Sequence, residues 1–125
     1  MIKSLTLSFF LLTSTIAFSQ TVAYVDKKSK EFILTPNPKA EFEIAGYQYP
    51  NISTKRMICF SSNTSLVSDN LAKCPLGAYF DTGRMKEGDR ILYLGKAGSF
   101  SKMNFISGAG KKTIFYFPKG SFVVK

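Results

Sequence analysis

Apolar and polar residues alternate along most of this chain in short runs, and glycines and prolines mark the breaks. The period of two predicts strands at 21–26, 31–35, 40–45 and 55–61. In the first, Val22, Tyr24 and Asp26 share one face and Ala23 and Val25 the other; in the third, Phe42 and Ile44 oppose Glu41 and Glu43. Pro36 and Pro38 stop the second run because they deny backbone donors to a ladder, and Gly46 and Pro50 bound a loop. Residues 62–78 are the least regular, and 67–73 is read as one or two helical turns. Strands return at 90–94, 102–107, 113–117 and 121–124, divided by glycine turns at 95–98, 108–110 and 120. No 10-residue stretch keeps a helical period. The expectation is an all-β domain, either a small barrel or a compact sandwich.

The first residues follow a different rule. Lys3 precedes an apolar stretch of 14 residues, Leu5–Phe18, interrupted only by hydroxyl side chains, and Ala17 and Ser19 are small. A positive start, an apolar run and small residues form the pattern of a cleavable export signal over 1–19. The run is shorter than the ~20 apolar residues a spanning helix needs. Export to the periplasm or the extracellular space is therefore expected, with no transmembrane segment after cleavage and one domain over 20–125. The chain carries 17 Lys and Arg against 8 Asp and Glu, and only Lys3 lies in the signal. So basic a protein is attracted to anionic partners. Its charges are scattered singly or in pairs, which fits a solvated surface better than a nucleic-acid stripe, and no specific nucleic-acid site is expected.

Cys59 and Cys74 are the only cysteines. In an oxidising compartment an even count suggests one disulfide, which across a loop of ~15 residues contributes about 3 kcal/mol. Two free thiols are the alternative.

Histidine is absent from the chain, and with it the commonest general base and metal ligand. No catalytic residue, metal site or cofactor is assigned, and an enzyme is not expected. Glu87 and Asp89 could serve a small hydrolase, but Gly88-Asp89 is also ordinary turn chemistry. The segment Gly108-Ala-Gly-Lys-Lys-Thr113 lacks the glycine spacing of a phosphate loop, since Lys111 and Ile106 hold the positions where glycine is required, and reads as a hairpin turn. Asn51 and Asn63 head glycosylation triplets.

The second half has a recognisable order of features. Met57-Ile-Cys-Phe60 is followed by an irregular loop, then Gly83-Arg-Met-Lys-Glu-Gly-Asp89, Ile91-Leu-Tyr-Leu94, Gly98-Ser-Phe100-Ser-Lys102-Met103, and Tyr116-Phe117-Pro118 with Phe122. This order resembles the bacterial SH3-like domain of exported and cell-wall proteins, over 57–125; residues 20–56 form strands outside it. Phe100 stands where that family usually has tryptophan, one residue is inserted before it, and 108–117 is longer than usual. The resemblance implies a small barrel whose 61–78 loop is stapled by Cys59–Cys74. It also implies an aromatic groove for a peptide or cell-wall polymer, with Tyr79, Phe100, Tyr116, Pro118 and Phe122 as ligand-binding positions. A secreted inhibitor or effector that docks on an acidic protein by charge and the braced loop is the other reading.

Overall fold

The computed structural model describes residues 23–35, 41–71, 73–80 and 85–125. The expected export signal, Thr21, Val22 and the expected Pro36–Pro38 stop lie outside these residues, as does Gly83 of the turn motif. Among the described residues are nine strands and one helix: β1 (Ala23–Val25), β2 (Phe32–Leu34), β3 (Glu43–Tyr47), β4 (Arg56–Ser61), α1 (Thr64–Leu71), β5 (Ala78–Phe80), β6 (Arg90–Ala97), β7 (Phe100–Ile106), β8 (Lys112–Pro118) and β9 (Val123–Val124). They form two sheets, in the orders β2-β1-β9 and β5-β4-β3-β8-β7-β6.

The alternation decides what faces inward. Ala23 and Val25 are buried and Tyr24 is half-buried, so the first of the two faces predicted for this strand is the outer one. In the large sheet Ile44, Ile58, Phe60, Ile91, Met103, Phe105, Phe115 and Phe117 join Val25 and Phe32 in one core. Phe32 ties the sheets together, with ring centroids 5.8 Å from Phe60, 5.0 Å from Phe117 and 6.0 Å from Phe122. Such tilted and edge-on pairs add to burial.

The all-β expectation holds, but a closed barrel is not formed. Closure requires the outermost strands to pair with each other. Here β5 and β6 are the two ends of an open order, and among the described residues the one bridge to β6 from outside the large sheet is Glu31↔Leu92, just before β2. The middle is narrow as well, because β3 and β8 pair only at Tyr47↔Tyr116.

Several boundaries differ from the alternation. Gly46 and Tyr47, read as loop, continue β3, and β6 runs through Gly95 by a register shift between Tyr93 and Gly95. The turn that follows is then only Gly98-Ser99, with Ala97 opposite Phe100, the two-residue connection that suits strand twist. The irregular 62–78 segment is a crossover: α1 leads from β4 to β5, which pair in parallel, and parallel neighbours need a connection of about a dozen residues or more. Asn63 caps the helix, its Oδ1 accepting from Ser65 N at 2.9 Å and Leu66 N at 3.3 Å.

The predicted disulfide is not present. Cys59 and Cys74 are both free and buried, in a second small cluster with Ala78 and Val67. Cys74 follows α1, and its Sγ donates to Asn70 Oδ1 at 3.9 Å, while Cys59 sits on β4 opposite Ala78. What holds the crossover is backbone: Leu76 N donates to Met57 O at 2.9 Å and Cys59 N to Gly77 O at 3.1 Å. Burial pushes the Cys59 thiol up to about 11 and also raises that of Cys74. The folded chain thus keeps a proton that an unfolded thiol releases from ~8.5 upward, so stability should fall with rising pH between the ordinary thiol range and about 11. At neutral pH both thiols should react with a disulfide reagent only after unfolding in guanidinium. Rapid native labelling of two equivalents would contradict this burial.

Candidate functional site

Of the residues assigned to binding, β7 carries Phe100 and β8 carries Tyr116 and Pro118, while Phe122 lies just before β9 and Tyr79 on β5. Phe100 opens β7 and Pro118 closes β8, and the two are register partners. The turn after Pro118 is fixed by Ser121, whose N and Oγ both donate to Pro118 O, at 3.2 and 2.7 Å, and this presents Phe122 on the same side. Phe100, Pro118 and Phe122 thereby line one open groove of about 490 Å³, with Tyr93 beside them and Lys96 and Lys119 exposed at its rim.

The three apolar residues are not equivalent. Phe122 packs against the core and makes edge contacts with Phe32, Tyr93 and Phe117 at 6.0, 5.8 and 6.2 Å. Phe100 is half-buried, lies outside the core cluster and has no ring partner among the described residues. Its exposed face is available for a ligand.

The other two assigned residues lie elsewhere. Tyr116 alternates with the buried Phe115 and Phe117, so it projects from the outer face of the sheet, in register with Lys102 and Tyr47. Tyr79 stands on β5 near the opposite end of β7 and β8, stacked on Phe60 at 5.3 Å, its hydroxyl donating to Leu76 O at 2.7 Å. Burial, with the Asp89 carboxylate adding to it, raises its phenol above the usual range. Gly77, at φ +108°, lets that ring fold back, because a Cβ there would meet the Tyr79 ring.

The carboxylates are placed by structure. Asp89 Oδ1 accepts from Gly108 N at 2.9 Å and so clasps the turn 85–89 to the β7–β8 hairpin. That hairpin, 107–111, is the glycine-rich turn predicted, closed by Ser107 N to Lys111 O at 2.9 Å. Glu43 pairs with Arg56 at 3.2 Å on the exposed side of β3 and β4. Among the described residues no group of three or more His, Cys, Asp or Glu could hold a metal, and no helix is long and apolar enough to cross a membrane.

Lys96, Lys119 and Tyr93 belong to the groove and were not assigned from sequence. The only signal for the lysines is their position beside Gly98 and Gly120, at two turns that the fold brings together. No family model matches this chain, and neither does any curated protein or solved structure.

Proposed function

We propose that this protein is an exported, non-catalytic binding module that holds an extended peptide or cell-wall polymer in the groove of Phe100, Pro118 and Phe122. One observation carries the reading: these three residues, singled out for contact, come together where β7 opens and β8 closes and line one groove with two lysines at its edge. Aromatic rings and a proline present flat apolar area at little entropic cost, and the lysines favour ligands with carboxylates. The SH3-like order of features in the second half implies the same kind of groove. The rival reading, an inhibitor that docks through a disulfide-braced loop, loses its brace because both thiols are free.

Retention on purified peptidoglycan, with and without a soluble wall peptide as competitor, tests the proposal. Phe100→Ala should abolish retention and leave the unfolding midpoint nearly unchanged, since the ring is not part of the core. Phe122→Ala should lower both. Absence of retention at modest salt, or retention that Phe100→Ala leaves intact, would overturn it.

A further inference from the structure

We propose that the cavity beside Tyr79 is a second ligand site, built for a small monoanion with an apolar body such as a medium-chain carboxylate. It is separate from the groove above. Phe105, Ser107 and Thr113 line it, at the end of β7 and β8 away from Phe100 and Pro118. Seven-residue strands at ~3.3 Å per residue set the two sites about 20 Å apart. The inference therefore does not depend on the wall-binding reading.

The cavity measures about 380 Å³, within the range of small-molecule sites. Its apolar lining is Met57, Leu76, Tyr79 and the buried Phe105, contributed by β4, the crossover, β5 and β7. The Tyr79 hydroxyl is already engaged with Leu76 O, so the ring offers its apolar surface to an occupant.

The polar side is unbalanced. Lys86 and Lys111, both exposed, line the cavity, and among the described residues neither has a carboxylate partner. Asp89 lines it too, but is held in place by Gly108 N. Two ammonium groups against one carboxylate leave a single positive charge beside an apolar floor. A bare anion would gain nothing from that floor, and a neutral chain nothing from the lysines. A carboxylate on an aliphatic or aromatic body uses both, its body displacing water from Phe105 and Leu76 while its charge stays at the wet rim.

Decanoate titrated into the full chain at low salt, followed by amide chemical shifts, tests this. Saturable shifts should appear at residues 76–79 and 107–113 and be absent at 98–101 and 118–122. Acetate and decanol should bind more weakly. Lys86→Ala combined with Lys111→Ala should weaken decanoate by roughly 10-fold, as expected for two solvent-exposed charge contacts, and leave decanol unchanged. Asp89→Asn keeps an acceptor for Gly108 N and removes the opposing charge, so it should tighten decanoate. Overturning outcomes are no saturable shift, shifts at the Phe100 groove instead, decanol binding as well as decanoate, or indifference of decanoate to the lysine and Asp89 substitutions.

Discussion

Replacing Phe117 with alanine is expected to cost about 3–5 kcal/mol, the range for removing a fully buried aromatic side chain. Phe117 is wholly inaccessible, and three rings close on it: Phe32 at 5.0 Å, Phe115 at 4.9 Å and Phe122 at 6.2 Å. Those partners come from β2, β8 and the segment before β9, so the cavity would open where the two sheets meet. Rings anchored on three segments cannot all move inward to refill it. A domain of this size has only about 5–15 kcal/mol in hand, so the variant should stand near the edge of folding. Thermal unfolding checks this, since each kcal/mol moves the midpoint of a ~100-residue domain by about 4–8 °C. Phe117→Leu should lose much less. A midpoint for Phe117→Ala within a few degrees of the parent would show that the sheets do not depend on this cluster.

The opposite error should be as damaging at Gly46. The β3–β4 register shifts between Gly46 and Tyr47, but the φ of Gly46 is not in the left-handed region, so the glycine is there for room. A Cβ at this position would fall against Phe115 Cδ1 and lie 2.7 Å from Phe115 Cε1 and 2.9 Å from Ile58 Cγ2. Both neighbours are fully buried and cannot step aside. Overpacking of this kind costs about 1–3 kcal/mol, and Gly46→Val should reach or exceed the top of that range. Gly46→Val with Phe115→Leu should recover part of the loss if the clash is the cause. Denaturant unfolding of the single and double variants decides this: no recovery would place the damage in the strand register instead.

Gly46 also marks where the sequence misleads. A glycine followed within four residues by a proline reads as a loop, because composition reports the absence of a side chain and not the ring that fills the space. Elsewhere the strands of the second half were legible, since Ile91, Met103, Phe105, Phe115 and Phe117 alternate with half-buried or exposed residues over long hairpins. β5 was not, being three residues that pair in parallel across a helical crossover and carry no alternation of their own. The disulfide was inferred from an even count of cysteines, yet pairing depends on where the thiols point, and Cys74 turns to Asn70. At the candidate site three of the five positions converge, because Phe100, Pro118 and Phe122 share one end of a hairpin. Tyr116 alternates outward and Tyr79 sits at the other end, distinctions that depend on register and on strand ends.

The small sheet has a consequence for how the protein is made. β1 lies parallel to β9, with Lys125 N donating to Val25 O at 3.0 Å and Lys27 N to Lys125 O at 3.2 Å. A strand near residue 24 therefore waits for one near residue 123 before its ladder is complete. Closing a loop over such a span is slow compared with closing the β6–β7 and β7–β8 hairpins, so this ladder is expected to form after them. The cohesion of the small sheet is thus a long-distance property: neither β1 nor β9 has its parallel neighbour until segments about 100 residues apart have met.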